Sequence, residues 1–209
     1  MPQPSREIKV VLLDADGVVQ TSGEEFLNSI AALCASPNQS RAFIEDVFLA
    51  EKPCLTGEAD FPEALTQVLT RWKINTPTSD ALDLWNQIRP VSEILDVVSR
   101  LRCHGIRVCL ATNQQQHRAT IMADGLGYSN HFDDMFFSYE LGVAKPETEF
   151  FTKMLNRLGI PGRQALFIDD HHSNVVSAET AGLVGEVYHV DNGLTRFMSI
   201  LERYDLPVA

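Results

Sequence analysis

Apolar and polar positions follow two rhythms along this chain, and the switch between them divides it. Residues 8–19 read IKVVLLDADGVV, with Val10, Val11, Leu12 and Leu13 in one unbroken apolar run. The run ends abruptly in Asp14, Ala15, Asp16 and Gly17. Such a run, closed by a turn signal, fits a strand buried on both faces inside a parallel sheet. Similar runs at residues 106–112, 135–138, 165–168 and 186–190 predict four more strands. Helical spacing fills the gaps between them. Ile94, Val97, Val98 and Leu101 mark a helix over residues 92–104, ended by Gly105. Further helices are predicted over 114–124 behind Asn113, from Pro146 in a first turn to Leu158, over 174–181 behind Ser173, and over 194–204. Strand–helix alternation at this spacing implies parallel pairing with right-handed crossovers.

Residues 24–88 keep the helical rhythm and lose the strand rhythm. Phe26, Leu27, Ile30, Ala31 and Leu33 predict a helix over 24–35, broken around Pro37. Ser40 stands as N-cap for 41–50, and Asp60 for a helix with Pro62 in its first turn and Leu65, Val68, Leu69 and Trp72 as its stripe. A last helix is predicted over 79–88. The stretch reads as a helical insert, with Trp72 and Trp85 in its core.

At 209 residues the chain suits one domain with a modest insertion. A formal net charge of −11 argues against nucleic-acid and anionic-membrane partners, since no basic stripe neutralises phosphates. Cys34, Cys54, Cys103 and Cys109 form no CxxC pair, and no apolar stretch of about 18 residues appears. A reducing, cytoplasmic setting is expected. Residues 1–7 are polar and expected to fray.

Two carboxylates beside a buried strand are costly unless something compensates them. A divalent cation does so naturally, because hard oxygen ligands suit Mg²⁺. Carboxyl ends of parallel strands are also where open α/β sheets bind ligands. A second pair, Asp169 and Asp170, closes the run ALFIDD. The run IRVCLATN closes in Thr112 and Asn113, and Lys145 stands in GVAKP between these two.

The ordered set DxDG, TN, KP and DD, each behind a suitable run or loop, resembles the haloacid dehalogenase-like hydrolase superfamily. The likeness is to its phosphatase branch with an α-helical cap after the first motif (subfamily I). It implies an α/β, Rossmann-like three-layer core with strand order 5-4-1-2-3, built from residues 1–18 and 89–209, and a cap from 19–88. The same likeness implies roles. Asp14 is the nucleophile, attacking phosphorus to form an aspartyl-phosphate. Asp16 is the general acid/base, and its backbone carbonyl joins Asp14 and Asp170 around Mg²⁺. Asp169 is the second acidic residue of the metal site, bound directly or through water. Thr112 and Asn113 donate to the phosphoryl oxygens, Lys145 balances charge, and Asn174 bonds to the acidic cluster.

A Mg²⁺-dependent phosphatase of a small phosphorylated metabolite is therefore expected, a sugar phosphate being the first guess on family frequency. A phosphomutase and a catalytically silent binding module are the alternatives on the same scaffold. A dehalogenase is least favoured, because its branch lacks an acid at Asp16. Nothing in the sequence displays an interface, so monomer and homodimer stay open. His171 and His172 read as loop residues, and the glycines of 125-GLGY-128 as helix terminators. Lys52, Thr56 and Glu58 approach substrate only by analogy.

Overall fold

The computed structural model describes residues 7–34, 36 and 38–207. The chain opens with β1 (Val10–Leu13) and β2 (Gln20–Thr21). Four helices follow: α1 (Gly23–Leu33), α2 (Ser40–Glu51), α3 (Phe61–Arg71) and α4 (Thr78–Leu82). Then come β3 (Arg89–Pro90), α5 (Ser92–Cys103), β4 (Arg107–Thr112), α6 (Gln116–Thr120) and α7 (Tyr128–His131). The remainder is β5 (Asp134–Phe137), α8 (Ser138–Leu141), α9 (Thr148–Leu158), β6 (Ala165–Asp169), α10 (His172–Thr180), β7 (Val184–Val187) and α11 (Leu194–Glu202). Among the described residues, no helix is long and apolar enough to cross a membrane.

The main sheet has the order β5-β4-β1-β6-β7, all parallel. With the five core strands numbered along the chain, this is the expected 5-4-1-2-3 read from the other edge. The pleat sends successive side chains to opposite faces. Val11, Leu13, Leu110 and Ile168 pack with Leu101 of α5 and Phe197 of α11 on one face. Val10, Leu12, Ala111 and Phe167 pack with Phe151 and Met154 of α9 and Ala178 of α10 on the other. Both faces of β1 are therefore dry, which is why its sequence is unbroken rather than alternating.

The helices between β2 and β3 bury a hydrophobic cluster of their own, with Ile30, Phe43, Val47, Leu65, Val68 and Trp85 inside and Trp72 packed against it. Phe61 meets the Trp85 ring edge-on at 4.8 Å. Asp60 caps α3 as expected, its side chain accepting the Glu63 N–H at 2.9 Å. Asp46 ties α2 to α3, accepting from Arg71 and from Trp72 Nε1. Gly57, at φ +72°, comes so near α8 that an added Cβ would lie 2.6 Å from the Tyr139 carbonyl.

Several boundaries differ from expectation. The chain enters and leaves the insert through an antiparallel ribbon, with Gln20 opposite Pro90 and Thr21 opposite Arg89. Two-residue strands leave no periodic trace in a sequence. The helix expected over 79–88 is α4 followed by a 3-10 turn, Asp83–Asn86. The helix expected over 114–124 starts two residues later and widens into a π turn, Ile121–Gly125. Pro146 lies in the loop ahead of α9 instead of in its first turn. Ser173 lies inside α10, whose N-cap position is His171, and Ser40 lies inside α2 behind Gln39. The last strand runs two or three residues earlier than expected, at Val184–Val187. The fraying expected over 1–7 falls outside the described residues as far as Arg6, as do the helix end at Ala35 and the break at Pro37.

Candidate active site

β1, β4 and β6 are the three central strands, and their carboxyl ends set Asp14, Thr112 and Asp169 side by side. The turn after β1 is wound tightly. The Ala15 carbonyl accepts from the N–H groups of Val18, Val19 and Gln20 at 3.2, 2.9 and 3.0 Å. Gly17 adopts φ +79°, and a Cβ on it would lie 2.8 Å from Asp170 Oδ2. Glycine is needed here on both counts, conformation and room.

Asp14 is buried, with 7% of its surface exposed. Its Oδ1 accepts the Ala15 N–H at 2.7 Å and faces Lys145 Nζ at 2.9 Å. Lys145 is buried too, and its Nζ also donates to Asp169 Oδ2 at 2.7 Å and to the Ala111 carbonyl at 2.9 Å. Asn113 holds this lysine in place. Its Nδ2 donates to the Lys145 carbonyl, and its Oδ1 accepts the Lys145 N–H, each at 2.8 Å. The expectation that Asn113 caps the next helix is thus corrected: Gln115 caps α6, its side chain accepting the Arg118 N–H at 3.1 Å. One Asn113 amide hydrogen remains for another acceptor. Thr112 is buried at the end of β4, its hydroxyl 3.5 Å from Gln114 Nε2.

Asp169 and Asp170 are adjacent but differently placed. Asp169 Oδ1 accepts from the His171 N–H at 2.8 Å and from Asn174 Nδ2 at 3.0 Å. Its Oδ2 accepts from Lys145 and, at 3.0 Å, from Asn174. Asp170 Oδ1, by contrast, is buried with no hydrogen-bond partner. One carboxylate oxygen each from Asp14, Asp169 and Asp170 lies within 4.8 Å of the others. Burial lifts the Asp14 carboxyl to about 7, with Lys145 opposing and Asp169 adding to the rise. Burial also lifts Asp170, His171 opposing and Asp169 adding. Burial would lower Lys145, but the two facing carboxylates raise it above the ordinary lysine value. Three clustered carboxylates, one of which keeps a buried oxygen without a partner, fit a hard, oxygen-seeking cation. His171 and His172 are exposed, and His171 Nε2 comes no nearer than 3.6 Å to Asp170 Oδ2.

Asp16 is set apart from this cluster. Arg118, from α6, meets it with both terminal nitrogens, Nη1 to Oδ2 at 2.7 Å and Nη2 to Oδ1 at 2.8 Å. Gln114 Nε2 donates to Oδ2 at 2.9 Å, and Gln20 Nε2 and Ser22 Oγ donate to Oδ1 at 3.0 and 3.3 Å. Burial pushes the Asp16 carboxyl up, yet Arg118, Gln20 and Gln114 bring it below the ordinary range. Glu51, at the end of α2, approaches from the insert and accepts from Trp85 Nε1 at 3.2 Å and Gln115 Nε2 at 3.5 Å. Burial lifts its carboxyl, and Arg118 opposes that rise. Sequence reasoning missed Arg118, Gln114, Gln20 and Glu51. Arg118 lies 102 residues from Asp16, and only the fold brings them together. Thr56 and Glu58 bond to each other on the surface, through a 3.0 Å hydrogen bond.

Comparison with known proteins agrees with the fold. A family profile described as haloacid dehalogenase-like hydrolase matches residues 8–182. The sesquiterpene phosphatase astK of Aspergillus oryzae is 25% identical over 132 residues, 61% of this chain and 66% of that protein. The phosphorylated carbohydrates phosphatase of Thermotoga maritima is 30% identical over 112 residues, 54% of this chain and 50% of that protein. The chain thus spans between half and two thirds of these curated relatives' length. A HAD family enzyme of Bacteroides thetaiotaomicron, solved with magnesium and inorganic phosphate, superimposes with a TM-score of 0.77 at 21% identity, covering 91% of this chain and 98% of that one.

Proposed function

The chain belongs to the haloacid dehalogenase-like hydrolase family, and on that premise we propose that it is a Mg²⁺-dependent phosphatase of a small phosphorylated metabolite. The observation that carries the reading is Asp170 Oδ1, buried without a partner beside Asp14. Asp14 and Asp170, both lifted by burial, are poised for a further cation beside Lys145, whose ammonium serves Asp14 and Asp169. The side chains of Asp14 and Asp170 and the backbone carbonyl of Asp16 would hold Mg²⁺. Asp169, with both oxygens already taken by Lys145, Asn174 and His171, orients the set. When bound, the ion supplies the positive charge that lets carboxylate and phosphate approach.

The chain's own residues do the rest. Asp14 attacks phosphorus in line and forms an aspartyl-phosphate, dividing one difficult step into two. Lys145 holds charge beside the nucleophile. The Thr112 hydroxyl and the remaining Asn113 amide hydrogen donate to the phosphoryl oxygens. Asp16 protonates the departing oxygen, then takes a proton from the water that cleaves the intermediate. Residues 19–88 form the cap and residues 1–18 with 89–209 the catalytic core, a division supported by the separate hydrophobic cluster of the insert. A sugar phosphate is the substrate class we favour, supported by the name of the Thermotoga maritima relative. The free cysteines accord with a cytoplasmic setting.

The test is phosphate release from a panel of esters, including p-nitrophenyl phosphate, in Mg²⁺ and in chelator, with Asp14→Asn alongside. Release that needs Mg²⁺ and vanishes in Asp14→Asn is the expected result. Folded, metal-loaded protein that hydrolyses no ester overturns the proposal.

A further inference from the structure

We infer that Arg118 is a positioning residue for proton transfer: its guanidinium holds the Asp16 carboxylate where it takes the proton of the hydrolytic water. The inference rests on the reading of Asp16 as acid/base. An aspartate in a strand-end turn ordinarily bonds to its own loop or to water. Asp16 instead receives four side chains, Gln20 and Ser22 from the end of its own turn and just beyond it, and Gln114 and Arg118 from the segment after β4. Arg118 grips both oxygens at 2.7 and 2.8 Å, a fork-to-carboxylate contact that fixes the plane of the group as well as its place. The guanidinium is itself held, since Nη2 donates to Ser22 Oγ at 2.7 Å and Nη1 to Gln114 Oε1 at 3.3 Å. Gln114 in turn donates to Asp16 Oδ2, closing a ring of three side chains. The Arg118 side chain is 13% exposed and that of Asp16 38%, so the pair is partly shielded, with the guanidinium as its buried half.

The nearby alternative partner does not claim the arginine. Glu51 Oε1 is anchored by Trp85 and Gln115, and the hydrogen bonds of the Arg118 terminal nitrogens go to Asp16, Ser22 and Gln114. A lysine would keep the charge and lose the fork.

The role belongs to the second half of the reaction. There the water oxygen bonds to phosphorus, the bond from phosphorus to the Asp14 oxygen breaks, and the water proton passes to Asp16. With p-nitrophenyl phosphate the first half needs no acid, because p-nitrophenolate leaves as the anion. The two halves then separate in time as a burst of p-nitrophenolate and a steady phase.

In Mg²⁺, Arg118→Met is expected to keep a burst within about two-fold of native and to slow the steady phase by about ten-fold or more, as Asp16→Asn does. Acid-quenched Arg118→Met should also carry more phosphoryl group by intact mass than native protein. Arg118→Lys, which keeps the charge, is expected to slow the same phase by less and serves where the Met variant does not fold. Equal slowing of both phases, as a merely structural residue would give, overturns the inference. So does an unchanged steady phase in both arginine variants. If Asp16→Asn itself leaves both phases unchanged, the acid/base reading beneath the inference fails instead.

Discussion

Lys145 stands between two carboxylates that would otherwise face each other at a dry strand end. Removing it leaves Asp14 and Asp169 buried without their cation, and breaking such a group by deleting one partner costs about 3–5 kcal/mol. Lys145→Met is therefore expected to lower unfolding stability by that order in chelator and by less in Mg²⁺, measured by urea denaturation. Gly17→Ala tests the neighbouring contact. Its Cβ would crowd Asp170 Oδ2, and its φ of +79° disfavours alanine. The substitution is expected to weaken Mg²⁺ binding in calorimetric titration; unchanged binding would show that Asp170 yields freely. At this scale the sequence was informative where chemistry directly follows a strand. Asp14, Thr112 and Asp169 each sit at a strand's carboxyl end, and a run of apolar letters marks that place without any structure. Arg118 and Gln114 follow no such mark. Their meaning comes from the loop after β4 and from α6 meeting the β1 turn, a relation between distant segments.

Between residue and fold lies the clasp of Asn113 on the Lys145 loop. Two hydrogen bonds join the end of β4 to a segment 32 residues away. Asn113→Ala is expected to cost about 2 kcal/mol in thermal or urea unfolding, since it also strands two backbone groups of Lys145. Phosphatase activity should fall with it, because the lysine loses its anchor. In the helix layer, Phe151→Ala would open a cavity between α9 and Phe167 of β6, at about 3–5 kcal/mol by the same measurement. The three central strands were legible because both their faces are buried and burial writes itself into composition, whereas the edge strand β7, half-exposed from Gly185 to Val187, was legible as a strand but not in its limits. The helix after β4 was legible in kind but not in its limits. Side-chain capping by Gln115 and the π turn after Thr120 depend on what the segment packs against, not on its own rhythm.

For the whole molecule, the acidic site links stability to pH. Asp14 is lifted in the folded state to about 7 from an ordinary value of 3.8. Between those values the native protein holds more protons than the unfolded chain, so stability falls as pH rises through the interval. Asp170 and Glu51, also lifted, act in the same direction. Asp16, lowered, acts oppositely, and its contribution is lost only on acidification below the ordinary carboxylate range. In chelator the urea midpoint is expected to drop from about pH 5 to about pH 8, and saturating Mg²⁺ should flatten that slope. A midpoint in chelator that stays level over this range would show that the carboxylates carry no such cost. The ribbon of β2 and β3 has a different reach. Chain entering the insert and chain leaving it run side by side, one strand spacing apart, about 4.8 Å. To the sheet, everything between them is a loop whose two ends already meet. A single uninterrupted stretch of gene can therefore be exchanged at these two points without breaking any strand that carries the chemistry. A lineage built this way can exchange the insert by recombination and keep Asp14, Thr112, Lys145 and Asp169 in place, while Ser22 and Glu51, which lie between the two points, go with it.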